Sequence, residues 1–320
     1  MMSNRTKQIT EFLAKTPWAT WTQVNLAGDA SSRRYFRLSD GENSAILMDA
    51  NPKTGETTEA FTDIGQWIRS QSLCAPKVLL HNTKQGFLLL EDLGREDFAM
   101  HLAAHPTHAT TLYTEATDIL IQLDAAQPPK NLTIMTPEVG GEMVGMTAQW
   151  YGNPKQSQIV DEMIEHLTRL CPIADTMALR DYHAENLIWR PGLEGTNRIG
   201  LLDYQDAFIA PRGYDLVSLL RDVRRRVDPN LGQAMSAYFI AKTGAEPSAL
   251  ACLAVQRNLR ILGVFSRLAR RDQKLRYIAM IPHIWAMIMR DLQHPALQKL
   301  QTCVAATLPA PENSAIKDLL

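Results

Sequence analysis

The chain has 320 residues, of which 45% are hydrophobic and 21% charged, and its formal net charge is -1. That length allows a large core and points to two packed lobes rather than one. So small a net charge provides no global field to hold nucleic acid or an anionic membrane, and neither is expected as a partner.

The first ninety residues read as a short helix followed by strands. "TKQITEFLAKT" sets Ile9, Phe12 and Leu13 at helical spacing. "RRYFRL" (33–38) and "SAILMDA" (44–50) read as strands joined by the turn-rich "SDGEN". "TEAFTDIGQWIRSQ" (58–71) puts Phe61, Ile64, Trp67 and Ile68 on one helical face, and "APKVLLHN" and "GFLLLEDLG" give two more strands. The order strand, strand, strand, helix, strand, strand suggests a small antiparallel sheet carrying one helix.

After Gly94 long helices take over. "TTLYTEATDILIQLDAAQ" (110–127) lines up Leu112, Ala116, Ile119, Leu120 and Leu123, and "PPKNL" ends it. "SALACLAVQRNLRILGVFSRLARR" is helical, as is "RYIAMIPHIWAMIMRDLQ", which is expected to kink or break at Pro282. The basic run "RDVRRR" (221–226) reads as a solvated helix face rather than a nucleic-acid patch. The division expected is residues 1–93, a strand-rich lobe, and 94–320, a helical lobe.

Cys74, Cys171, Cys252 and Cys303 form no C-x-x-C pair, which argues against a zinc site and for thiols of a reducing compartment. The N-terminal segment is polar and lacks a signal core, and no stretch approaches the roughly 18 uncharged apolar residues that span a bilayer. A cytoplasmic protein without an obligate protein partner is expected.

Two strand-like runs among the helices end in acidic residues. In "ALRDYHAENLIW" (178–189), Asp181 and Asn186 stand at D-x-x-x-x-N spacing, and in "RIGLLDYQDA" (198–207) Asp203 follows an apolar strand. A magnesium nucleotide needs a few hard oxygen ligands from the protein, since its phosphates supply the rest. A further carboxylate must stay off the metal to take or orient the acceptor's proton.

On these residues the sequence resembles the aminoglycoside-phosphotransferase superfamily of small-molecule kinases, whose pattern is H-G-D-x-x-x-x-N followed by a strand ending in Asp. Within it, "GDASSRRYFRL" (28–38), "GFLLLEDLG" (86–94), "DYQDAFIAPRGYDLVSLLRD" (203–222) and "VQRNLRILGVFSRLARRDQKLRYI" (255–278) are most similar to bacterial N-acetylmuramate/N-acetylglucosamine anomeric kinases. The resemblance covers most of the chain and implies an α+β, protein-kinase-like two-lobed fold with an antiparallel-sheet N-lobe and a helical C-lobe. It also implies ATP and Mg2+ as cofactors and an amino sugar as acceptor, phosphorylated at its anomeric hydroxyl in cell-wall sugar recycling. Asp181 would be the base or orienter, and Asn186 and Asp203 the metal ligands. The same fold also serves other acceptors, such as an aminoglycoside, choline or homoserine, and a non-catalytic nucleotide-binding scaffold is the rival from another class.

The chain departs from the superfamily at two positions. Leu179 stands where a loop-supporting His is usual, and Met48 stands where a lysine usually grips the phosphates. Another cation must serve, and Arg33 and Arg34 are the candidates; strand alternation sends Arg33 and Arg37 to one side and Arg34 to the other. Ser31 and Ser32 belong to a small-residue loop allowing close approach to phosphates, and backbone groups near Glu91 and Leu93 would meet the adenine edge. His183 is near the acceptor or structural, and Asp206 bonds a sugar hydroxyl or caps a turn. Glu142 of "GGEMVGMTAQWYG" would touch the sugar, with Trp150 in the core. Asp215 is read as a structural support of the catalytic loop, as in the related kinases.

Overall fold

The computed structural model describes residues 4–26, 33–55, 57–152 and 158–312. The chain divides into two units, Met1–His101 with Asn186–Asp206, and Leu102–Glu185 with Ala207–Leu320. The expected division after residue 93 is therefore not the partition found. Residues 94–101 stay with the first unit, and so does a segment from much later in the chain.

The first unit opens with α1 (Asn4–Leu13), then β1 (Thr22–Leu26), β2 (Arg34–Ser39), β3 (Ser44–Asp49), α2 (Glu59–Ser70), β4 (Val78–Asn82) and β5 (Phe87–Glu91). The strands form one antiparallel sheet in the order β1-β2-β3-β5-β4. Its apolar alternation is set by local chemistry. Asp40 accepts the backbone N–H groups of Glu42 (3.0 Å) and Asn43 (2.7 Å), which closes the β2–β3 turn and fixes the register. Gly86, just before β5, takes φ 69°, and a Cβ there would lie 1.8 Å from the Ala50 carbonyl, so only glycine lets these backbones meet. Ile9 and Leu13 of α1 seal one sheet face against Leu38, Ala45, Leu47, Phe87 and Leu89.

Next come α3 (Phe98–Ala104), α4 (Ala109–Ala125), α5 (Pro137–Trp150), α6 (Gln158–Leu170), β6 (Thr176–Ala178), β7 (Leu187–Trp189), β8 (Ile199–Leu201) and β9 (Phe208–Ala210). The chain ends with α7 (Tyr214–Leu220), α8 (Pro229–Thr243), α9 (Pro247–Arg270), α10 (Ile281–Asp291) and α11 (Gln298–Thr307). The β7–β8 hairpin belongs to the first unit, where main-chain bridges Cys74↔Gly200 and Asp97↔Ile188 attach it. Cys74, Leu93 and Ile188 bury one another beneath it.

The second unit is helical, with β6 and β9 paired as a short antiparallel ribbon. α9 is its centre, and Gly263 allows α5 to approach so closely that a Cβ would sit 2.5 Å from Met146 and Thr147 backbone atoms. α9 is long and apolar enough to cross a membrane, contrary to the expectation that no segment comes near this, yet 72% of that stretch is buried inside the protein. Pro282 does not kink a helix: a 3-10 segment, Leu275–Met280, precedes it and Pro282 lies in the first turn of α10, where its missing N–H costs nothing.

The run at 221–226 corrects the sequence reading. α7 stops at Leu220, so the run is irregular rather than a solvated helix face. Arg221 pairs with Asp291 at 2.9 Å, Arg224 with Glu185 at 3.2 Å, and Asp222 is buried. Tertiary partners, not helical register, use these charges.

Candidate active site

Residues 179–185 lie in the second unit, directly after β6. Asp215, in the first turn of α7, accepts the Leu179 N–H at 2.5 Å and the Arg180 N–H at 3.0 Å. The Asp181 N–H turns back to the Leu179 carbonyl at 3.0 Å, which closes a tight turn about Arg180 at φ 76°. A non-glycine residue held there stores strain of about 1–3 kcal/mol, maintained only by the bonds around it. The Tyr182 hydroxyl donates to the Ala116 carbonyl at 2.8 Å and anchors the next residue in the core. Asp181, between these two anchors, is half-buried. The Leu179 side chain is buried, so Asp215 supports the loop through main-chain bonds alone. Burial lifts the Asp215 carboxyl to about 7, against the opposing pull of those N–H groups and of Arg257.

Asn186 and Asp203 lie in the first unit at one end of the β7–β8 hairpin. Leu187 pairs with Leu201, and the Leu202 N–H donates to the Asn186 carbonyl at 3.0 Å, so the two candidate ligands flank adjoining backbone. Asp203 takes φ 57°, a left-handed conformation that Asp tolerates better than most residues. Among the described residues only four non-glycines have positive φ, and two of them, Arg180 and Asp203, sit on these loops. Tyr204 is fully buried; its ring stacks on Phe61 at 4.8 Å, and Gly65 leaves room for its hydroxyl. Gln205, also buried, donates from Nε2 to Asp203 at 2.8 Å and to Asp206 at 3.3 Å.

The donor set at this hairpin end suits magnesium. Asp203 is exposed and Asn186 half-buried, a carboxylate and an amide oxygen, and Mg2+ takes few protein ligands and keeps the rest as water or phosphate. Among the described residues no group of three or more His, Cys, Asp or Glu side chains offers a rival cage.

The other expected site residues fall as follows. His183 is buried, 3.4 Å from Arg224, and burial together with the Arg224 and Arg257 charges pushes its imidazole well below the usual histidine range. Asp206 is exposed on the Asp203 loop. Glu142 is exposed on α5 and, among the described residues, makes no hydrogen bond or ion pair that ties it to the 179–185 loop. Arg34 is bound to Asp49, with a 3.1 Å bond from Nε, and Asp49 also takes Arg5 at 2.7 Å. Arg37 pairs with Asp92 at 2.6 Å. Arg33 is half-buried just before β2. Met48 is completely buried in β3, opposite Tyr35 and Leu88. Glu91 ends β5, and its N–H bonds the Lys77 carbonyl at 2.8 Å. The Leu93 side chain is core, packed over Gly200. Ser31 and Ser32 lie outside the described residues.

Sequence reasoning missed Gln205. Its only signal was its place between two aspartates in "DYQDA", and its role emerges once both carboxylates accept from one amide. It also passed over Arg257 and Arg260, because arginine inside an apolar helix pattern reads as a surface residue.

The chain is 32% identical to an N-acetylmuramate/N-acetylglucosamine kinase of Caulobacter vibrioides, over 94% of this chain and 96% of that one. It is 29% identical to a kinase of the same name from Pseudomonas aeruginosa, over 88% of each. In fold it is similar to a spectinomycin phosphotransferase solved with ADP and spectinomycin, at TM-score 0.65 and 14% identity over 90% of this chain and 98% of that one. Residues 22–251 match the APH family of phosphotransferase enzymes, and with its five-stranded antiparallel sheet and helical second unit the chain belongs to that family and has its protein-kinase-like fold.

Proposed function

We propose that this chain is an ATP-dependent kinase that phosphorylates the anomeric hydroxyl of N-acetylmuramate, N-acetylglucosamine or both, in the recycling of cell-wall sugars. One observation carries the reading. In the second unit the backbone fixes the Asp181 segment as a doubly anchored turn, and in the first unit Asn186 is tied through the main chain to the Asp203 segment. The names of the relatives support the acceptor class, and the ADP bound by the spectinomycin enzyme supports the nucleotide.

Asp181 orients the acceptor hydroxyl and receives its proton as the sugar oxygen bonds to the γ-phosphorus and the bond to the ADP oxygen breaks. An anomeric hydroxyl is more acidic than an ordinary alcohol, so alignment is the larger share of the aspartate's task. Asn186 and Asp203 would hold Mg2+, whose charge offsets that of the phosphates. Arg33 and backbone groups near Glu91 and Leu93 serve the nucleotide, while His183, Asp206 and Glu142 serve the sugar. The four free cysteines fit a reducing, cytoplasmic setting.

The test is product analysis with ATP, Mg2+ and each sugar. Phosphate on the reducing-end carbon is expected, and Asp181→Ala should abolish transfer while nucleotide still binds. Wild-type turnover by that variant would remove Asp181 from its role. The complete burial of Met48 favours a second reading, nucleotide binding without transfer. ADP release that depends on a sugar rules it out.

A further inference from the structure

Among the described residues, two guanidinium groups in the second unit have no anion bonded directly to them. Arg257 is 4% exposed, and Arg260 is half-buried one turn further along α9. Among the described residues neither makes a hydrogen bond or an ion pair, and Arg257 Nη1 is shielded from solvent with nothing to donate to. A buried cation is tolerated when an anion meets it directly, and among the described residues no carboxylate does so for these two.

The carboxylates whose charges reach Arg257 make their hydrogen bonds elsewhere. Asp215 holds the Leu179 and Arg180 N–H groups; Asp222 holds the Arg224 N–H at 2.9 Å through one oxygen, and its other, buried oxygen bonds neither guanidinium. Burial pushes both carboxyl groups up, Asp215 to about 7. Arg260 feels the charges of Arg180 and Asp181, so the pair adjoins the turn that would orient the acceptor.

We propose that Arg257 and Arg260 receive a carboxylate carried by the acceptor, so that the site recognises the acid group that N-acetylmuramate has and N-acetylglucosamine lacks. This rests on the reading that the chain phosphorylates these sugars. Muramate differs from glucosamine by a lactyl ether, whose carboxylate projects from the same ring as the reacting hydroxyl. Guanidinium forks match a carboxylate in charge and geometry. The transferring phosphoryl group is the other anion that suits them, but that group is common to both sugars.

The experiment is kcat/KM for both sugars in wild type, Arg257→Gln, Arg260→Gln and Arg257→Lys. In the Gln variants the acidic-to-neutral ratio should fall on the order of ten- to a hundredfold, the loss of one or two charge-assisted hydrogen bonds. Arg257→Lys should recover part of it. An equal loss for both sugars overturns the proposal, because a phosphoryl contact or a purely structural role moves both alike. If Arg257→Gln does not fold, the half-buried Arg260→Gln decides by the same ratio. Wild-type protein that turns over neither sugar overturns the sugar-kinase reading itself, and this assignment with it.

Discussion

Leu179 gives its backbone N–H to Asp215 at 2.5 Å across 36 residues of sequence, so the turn that aims Asp181 hangs from a carboxyl group at the start of a helix. The second bond, from Arg180, holds a backbone conformation that this residue avoids on its own. A chain that fixes its loop in this way has no need of a polar side chain at position 179.

The same arrangement predicts a pH dependence. Burial raises Asp215 from 3.8 to about 7, so between those values the folded chain keeps a proton that the unfolded chain has released. Stability from this group is therefore full below the unfolded pKa and falls as pH rises through the window, by at most about 1.4 kcal/mol per pH unit. Asp215→Asn lacks the titration. Urea unfolding should show wild type gaining on the variant from pH 8 to pH 5, and a constant difference would reject this account.

Gln205→Ala should weaken magnesium dependence more than sugar binding. It removes the amide that steadies Asp203 and leaves the left-handed backbone there less supported. Loss of such an outer support typically costs ten- to a hundredfold in metal affinity. Initial rates titrated with Mg2+ should show the midpoint rising by about tenfold or more, with the KM for sugar little changed.

Met48→Lys would place the superfamily's usual residue in β3. Met48 has no solvent exposure, and an ammonium without a partner there should cost about 2 kcal/mol or more. Thermal unfolding should show a lower Tm, and the KM for ATP should not improve. An improved KM would show that the strand accepts the superfamily's lysine.

Arg33→Ala and Arg34→Ala should differ. The Arg34 side chain is 48% exposed and neutralises Asp49, which is 1% exposed and keeps Arg5 when Arg34 is lost. Its removal should lower stability by about 1 kcal/mol or less and affect ATP little. Arg33→Ala should raise the KM for ATP by about tenfold. The reverse pattern in ATP kinetics would make Arg34 the phosphate cation.

The fold was legible where signals are local. Helical stripes at 110–127 and 248–271 and the turn chemistry of "SDGEN" specify their elements within a few residues. The limits of α7 were not, because "RDVRRR" has the composition of a helix end, while its path is set by Asp291 and Glu185, distant in sequence. At the site, the D-x-x-x-x-N spacing and the aspartate after an apolar strand are readable because one short segment carries each. Asp215 was readable as a support of the loop through the family resemblance, while the two N–H groups it holds, and the surroundings of Gln205, Arg257 and Arg260, come only with folding. Thr22–Leu26 is an exposed edge strand with little apolar content, and its pairing with β2 defines it.

The attachment of 186–206 to the first unit bears on how the protein is made. A ribosome that has released residues 1–101 has not yet supplied the strand that bridges Cys74, nor Ile188, which covers Leu93. The first unit must wait, incomplete and with that apolar patch open, until about a hundred further residues have emerged. Its final closure and the delivery of Asn186 and Asp203 are one event, so a nascent chain acquires its candidate metal ligands only as that unit becomes whole.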